Sequence, residues 1–280
     1  STLVSLVSTD TLTNKTLTSP KINEDVAVTS TATELNLLDG VTSTTAELNI
    51  LDGVTSDATE LNLLDGKAAT NLALVGKTEG TNFTNSLLVG HATTGTLNEA
   101  ENNTGVGIDA LNSITSGDRI TAVGYNAGTS ITTGNASTFI GANAGKTFST
   151  GSSNTGVGDS SLFTSNASSN TGIGQNSGYH LTGAENTAVG ASALQSSAGA
   201  GSGARNTAIG QAAGTAITSG NNNIFLGQDG GKNITTGSGN VIIGITDATA
   251  ADSDRTLKIT GNDGSTTTTW ISGDNNGVVT

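Results

Sequence analysis

The chain has no cysteine and no methionine, one proline among 280 residues, aromatics at only 3%, and ten lysines and arginines in all. Without cysteine there is neither a disulfide framework nor a thiolate metal site. With so few aromatic residues an ordinary globular core cannot be filled, and Thr, Ser, Asn and 39 glycines stand where bulky side chains would. The few basic residues are scattered and the net charge is −13, which argues against a nucleic-acid partner, since phosphate binding needs clustered Lys and Arg. No apolar run approaches the ~20 residues of a membrane span. The opening STLVSLVSTD has neither a charged n-region nor an h-region, so no signal peptide is read there. A start at Ser1 points to a processed product or to part of something longer.

What the chain does have is repetition. Nine times a short motif ends in an aliphatic residue and a glycine: NTGVG, ITAVG, STFIG, NTGVG, NTGIG, NTAVG, NTAIG, NIFLG and NVIIG. The closing glycines are Gly107, Gly124, Gly141, Gly158, Gly174, Gly190, Gly210, Gly227 and Gly244, at spacings of 16 or 17 residues with one of 20. Such a period means stacked rungs. SLLVG at Ser86–Gly90 ends 17 residues before Gly107 and is read as an atypical first rung.

Read as strands, the motifs form columns. The residue before each closing glycine (Val106, Val123, Ile140, Val157, Ile173, Val189, Ile209, Leu226, Ile243) is always aliphatic and is expected to point into a core. Two residues earlier, on the same face, stand Thr104, Thr121, Thr138, Thr155, Thr171, Thr187 and Thr207, then Ile224 and Val241. The column between them (Gly105, Ala122, Phe139, Gly156, Gly172, Ala188, Ala208, Phe225, Ile242) holds nothing polar. A strand without a polar face should be covered on both sides. A thin coil covers one side, so the other cover is expected to be a second chain, its backbone approaching the small residues closely. An Asn opens seven of the nine motifs (Asn103, Asn154, Asn170, Asn186, Asn206, Asn223, Asn240), a residue that tolerates left-handed turns and can stack its amides.

A second repeat lies upstream. TATELNLLDG, TTAELNILDG and DATELNLLDG place Glu34, Glu47 and Glu60 at a period of 13. Each opens as a capping box and closes on a glycine (Gly40, Gly53, Gly66) suited to a helix C-cap. Helices of two turns are not stable alone, so residues 30–66 are expected to form a stalk that buries its leucines against copies of itself. After the roll, Arg255–Thr260 and Thr266–Ile271 flank a GNDG turn and read as a hairpin. Trp270, the single tryptophan, is expected to pack beneath this cap or between chains.

NTAVGASAL, NTAIGQAAG and NTGIGQNSG resemble the head repeats of YadA-like trimeric autotransporter adhesins over about residues 86–245. The TAELNILDGVT units and DTLTNKTLTSPKI resemble segments of tail fibres of marine bacteriophages and related viral fibres over about residues 9–66. The first resemblance implies trimers of parallel β-rolls, the second a virion appendage. The expected fold is therefore mainly β: a repetitive parallel β-roll or β-solenoid in an intertwined homotrimer, with a short-helix stalk on its N-terminal side. The expected divisions are an extended segment (1–29), the stalk (30–66), a transition with the first rung (67–89), the roll (90–245) and a C-terminal β cap (246–280).

The expected function is a non-enzymatic trimeric fibre, extracellular, as a phage or viral shaft or attachment protein. The alternative is a bacterial surface adhesin or filament. Partners are other copies of the chain and a cell-surface receptor or glycan, with no nucleic acid, no membrane insertion and no cofactor. No catalytic, cofactor-binding or metal residues are assigned. A glycosidase needs two carboxylates across one bond, whereas Asp109, Asp118, Asp159, Glu185 and Asp229 fall on different rungs and mostly different phases. His91 and His180 show no partners and read as solvated. The Asn262–Gly264 and Asp274–Gly277 clusters read as turns, lacking the ordered ligand spacing of a calcium loop. Ice binding, which the threonine column brings to mind, is disfavoured because Ile224, Val241 and the aliphatic neighbours fit a buried ladder better.

Overall fold

The computed structural model describes residues 31, 33, 76–77, 80–196 and 201–280. The N-terminal segment and, apart from Thr31 and Thr33, the expected helical stalk lie outside the described residues. The rest is a parallel β-solenoid. Its strands are β1 (Gly76–Lys77), β2 (Leu87–Val89), β3 (Thr104–Val106), β4 (Thr121–Val123), β5 (Thr138–Ile140), β6 (Thr155–Val157), β7 (Thr171–Ile173), β8 (Thr187–Val189), β9 (Thr207–Ile209), β10 (Ile224–Leu226), β11 (Val241–Ile243), β12 (Leu257–Asn262) and β13 (Thr267–Gly273). They form one sheet in sequence order. From β2 to β12 every pairing is parallel and in register, Thr over Thr and aliphatic over aliphatic through most of the stack. β1 and β13 close the ends antiparallel.

Each rung contains one three-residue strand, and tight turns make its other walls. These walls also stack by backbone hydrogen bonds, as in Leu111 N–H to Ala127 O (3.1 Å), Gly128 N–H to Ala144 O (2.9 Å) and Thr132 N–H to Ser149 O (3.0 Å). The turns depend on left-handed backbone at fixed places: the residue before each motif's first position, and the second and fourth residues after the closing glycine. The closing glycine is the strictest position. At Gly124 φ is +133° and a Cβ would lie 2.6 Å from Gly141 O in the next rung, so no other residue fits.

The face assignment expected from the sequence is inverted. The middle column is the interior one: Ala122, Phe139, Ala188, Ala208, Phe225 and Ile242 are all fully buried. Its small residues make room for the chain's own side chains, not for a neighbouring backbone. A methyl group at Gly105 would lie 2.5 Å from Leu88 Cδ2, and one at Gly172 would lie 3.0 Å from Leu162 Cγ. Much of the missing bulk comes from the fourth residue after the closing glycine. Leu111, Leu162 and Leu194 stand there in rungs whose strand presents Gly105, Gly156 and Ala188, at φ values of 58°, 49° and 45°. Leucine is rare in that region of backbone space and pays conformational strain of order 1–2 kcal/mol there. Burial of its side chain, worth about 1.5–3 kcal/mol, offsets the strain. Where the strand presents Phe139 or Phe225, the fourth residue is Gly145 or Gly231.

The asparagine column is the polar counterpart of this packing. Asn103, Asn154, Asn170, Asn186, Asn206, Asn223 and Asn240 are buried. Each Oδ1 accepts the main-chain N–H of the equivalent residue one rung on, for example from Asn206 to Asn186 and from Asn240 to Asn223 (2.9 Å each). Nδ2 of Asn206 donates to Gly220 O (2.8 Å) and that of Asn223 to Gly237 O (2.9 Å), whereas the buried Nδ2 of Asn170 has no partner. A second ladder runs outside in the opposite sense, where the N–H groups of Glu101, Asp118, Asn135 and Ser152 donate to the side chains of Asp118, Asn135, Ser152 and Ser168.

The apolar interior divides into two clusters, Phe83 to Leu162 and Leu181 to Ala248. Between them the interior is polar: Ser161 and Ser165 are buried with unpaired hydroxyls, and Ser177 is fully buried. On the outside of these same rungs Phe163 and Tyr179 stack at 4.7 Å and 11°, with Lys146 Nζ 5.6 Å from the Phe163 ring centre. The aromatic contact thus reinforces the stack where the core is thinnest.

Candidate interaction surface

Because residues one and three of each strand share a face, inversion of the middle column places both the threonine and the aliphatic columns outside. Val106, Ile140, Ile173 and Ile209 are 36%, 41%, 41% and 44% exposed, and Ile224 is 40% exposed. Val123, Val157, Val189, Leu226 and Ile243 are half-buried, as are Thr121, Thr138, Thr155, Thr171, Thr187 and Thr207. The expected burial of this ladder is therefore not met within one chain. The surface repeats at about 4.8 Å along the stack and about 6.6 Å between threonine and aliphatic residue within a strand. Its neighbouring corner adds exposed Ile108 and Tyr125 at one end and Ile245 at the other.

The five acids considered for catalysis are not brought together, and Asp109 and Asp229, which share one rung position, stand seven rungs apart. Asp109 and Asp229 occupy left-handed turn positions, as does Glu185. Asp118 belongs to the outer ladder, and Asp159 accepts the hydroxyl of its neighbour Ser160 (2.8 Å). The exposed pair Arg205–Glu185 spans adjacent rungs at 3.9 Å. Among the described residues no group of three His, Asp or Glu could hold a metal ion, and no helix is long and apolar enough to cross a membrane.

The histidines depart from expectation. His91 is buried, its Nε2 2.7 Å from Ala110 O, while Nδ1 accepts the Thr93 N–H at 3.2 Å. This pattern fixes the proton on Nε2. His180 is half-buried, packed edge-on against Tyr179 at 4.5 Å, with Nδ1 3.0 Å from Thr164 Oγ1. Both serve packing within the turns, and sequence spacing alone gave no sign of it.

The C-terminal hairpin carries the remaining chemistry. Asp263 Oδ1 accepts the N–H groups of Ser265 and Thr266 (2.9 and 2.8 Å), and Asp274 Oδ1 those of Asn276 and Val278 (2.9 and 3.1 Å). The amide of Ser265, then that of Thr266, holds the Asp263 carboxyl below the usual range; the amide of Val278, then that of Asn276, does so for Asp274. These clusters are turns, as the sequence indicated. Trp270 does not lie beneath the cap. Ile259 pairs with Ile271 and Thr260 with Thr269, so Trp270 is the extra residue of a β-bulge. Its ring lies across Gly261, where a side chain would clash with it, and it is 67% exposed. Comparison of the chain with protein-family models, with curated proteins and with solved structures returned no match.

Proposed function

We propose that this protein is a non-enzymatic structural fibre in which three copies bury their outward Thr–aliphatic ladders against one another around a common axis. The observation that carries the reading is the two-faced strand. One column is sealed inside the coil, while the other side presents Val106, Ile140, Ile173 and Ile209 to solvent over many rungs. Contiguous apolar surface of this kind marks an interaction site, and an in-register repeat is best matched by an identical repeat. Three thin rolls about an axis give each copy one buried face. The repeat resemblances support the same count and point to a phage or viral tail fibre, acting as shaft or attachment appendage outside the cell. A bacterial trimeric surface adhesin or filament is the alternative on the same architecture. Stiffness comes from continuous axial hydrogen bonding, and repeated shallow surfaces support multivalent attachment to a receptor or glycan.

The test is the solution mass of the 280-residue chain by light scattering across protein concentration. A mass near three times 27.5 kDa supports the trimer, and a monomer at every concentration overturns it. A second reading gains from the same observation. A regularly spaced, outward-facing threonine column is the surface an ice-binding protein needs, and within one chain this column is half-buried from Thr121 to Thr207 and not sealed in a core. A monomer with thermal hysteresis would favour ice binding; a trimer would cover that face and exclude it.

A further inference from the structure

We propose that Trp270 and its surroundings form a carbohydrate site that takes a neutral pyranose-containing glycan. One face of the indole lies on the Gly261 backbone and the side chain is 67% exposed. The cost of leaving so much aromatic surface in water is notable in a chain with a single tryptophan and 3% aromatics. A cavity of about 480 Å³ borders it, lined by Gly261, Asn262, Asp263, Thr266, Thr268 and Trp270. The rim is divided between fixed and free polar groups. Asn262 is occupied, donating from Nδ2 to Thr267 Oγ1 (2.6 Å) and accepting the Gly264 N–H (2.7 Å). Asp263 Oδ1 is held by the turn amides, which leaves Oδ2 to accept from a ligand. The hydroxyls of Thr266 and Thr268 can both donate and accept.

An aromatic plate beside one carboxylate oxygen and two hydroxyls matches a sugar ring, whose C–H face is apolar and whose edge carries hydroxyls. Pockets that pair an apolar surface with a few placed polar groups are the usual form of small-molecule sites. No Lys or Arg lines the cavity and the net charge is −13, so uronic and sialic acids are disfavoured and a neutral hexose is preferred. Gly261 is part of the device: any side chain there would displace the ring. The Phe163–Tyr179 pair is unsuited to the same role, because each ring stacks on its neighbour along the axis. The site stands on the hairpin alone, independent of the number of chains in the assembly.

Since Trp270 is the only tryptophan, its emission reports on this site without labelling. The intact 280-residue protein is titrated with maltohexaose, cellohexaose, laminarihexaose and mannohexaose, and its exposure is measured by iodide quenching. The expected result is an efficiently quenched indole and a saturable emission change with at least one oligosaccharide. By calorimetry, Trp270→Ala and Thr268→Val should each weaken binding, the first by roughly tenfold or more, with unchanged circular dichroism and melting. Failure of all four sugars to give a saturable change, or equal binding by Trp270→Ala, overturns the proposal. So does an indole shielded from iodide, which would place a second copy of the chain over the ring. Light scattering on the same samples tells this failure apart from a failure of the trimer.

Discussion

Phe139 and Gly145 occupy one rung as a matched pair, the phenyl ring standing where a side chain on Gly145 would otherwise go, 2.5 Å from a Cβ placed there. Rungs with Gly105, Gly156 or Ala188 on the strand reverse the arrangement and put Leu111, Leu162 or Leu194 at the partner position. In these rungs the interior volume is divided between two positions six residues apart, whereas the pairs Ala122/Gly128, Gly172/Gly178 and Ala208/Gly214 are small at both.

This division predicts strong coupling between them. Phe139→Ala alone should destabilise by about 3–5 kcal/mol through the cavity it leaves. Gly145→Leu alone should cost several kcal/mol through overpacking and left-handed strain. The double substitution, which reproduces the rung of Ala188 and Leu194, should cost clearly less than the sum. Denaturant unfolding of the four proteins measures the coupling.

The asparagine ladder predicts a graded response. Asn223→Ala removes the acceptor of the Asn240 N–H and the donor to Gly237 O, at roughly 1–3 kcal/mol for each buried group left unpaired. Asn223→Ser should cost less, because Ser86 and Ser137 already accept from Asn103 and Asn154 at the same rung position. Thermal melts of the two variants would rank them; equal losses would show that the side-chain ladder is not what the position contributes.

Adjacent residues of one strand should behave oppositely toward charge. Ala208 is fully buried and Ile209 is 44% exposed. Ala208→Glu is expected to abolish cooperative folding, since it places an unpaired carboxylate in the coil. Ile209→Glu is expected to preserve the far-ultraviolet spectrum and lower the solution mass toward a single chain. An unchanged mass for Ile209→Glu would count against assembly through this face.

Ser165 stands with an unpaired hydroxyl at the rung position that Ile114, Ile131, Phe148, Leu181, Ile217 and Ile234 hold elsewhere. Ser165→Val should therefore raise stability by about 1–2 kcal/mol, read as a higher denaturant midpoint with an unchanged slope.

The hairpin turns should respond to acid. The folded-state values of Asp263 and Asp274 are depressed, so their contribution is complete above the unfolded value of about 3.9. It is lost as pH falls through the lower folded values. Trp270 emission should be flat from pH 7 down to about pH 4 and change below it, with Asp263→Asn removing part of that change.

Much of this architecture could be read from the chain. The aliphatic-Gly period located every strand from β3 to β11, because a backbone turn that only glycine can adopt recurs once per rung. The orientation of those strands could not be read the same way. Thr104, Gly105 and Val106 carry no polar contrast between faces, and a three-residue strand is too short to show a period. A partial signal lay six residues away, where Leu111, Leu162 and Leu194 answer Gly105, Gly156 and Ala188 while Gly145 and Gly231 answer Phe139 and Phe225, and it shows only when two columns are read together. That Trp270 does not lie beneath the cap was hidden for a related reason: a bulge is a matter of pairing register, to which local composition is blind.

The in-register stack also acts as a ruler. Ten parallel steps join β2 to β12, and at about 4.8 Å each they span about 48 Å. Every internal rung offers its neighbours nearly the same set of backbone donors and acceptors. Duplication or loss of one 16- or 17-residue unit would therefore change reach in fixed increments while leaving both ends intact. Length in such a molecule is an arithmetic property of its gene, open to change by recombination between repeats without a new fold having to be found.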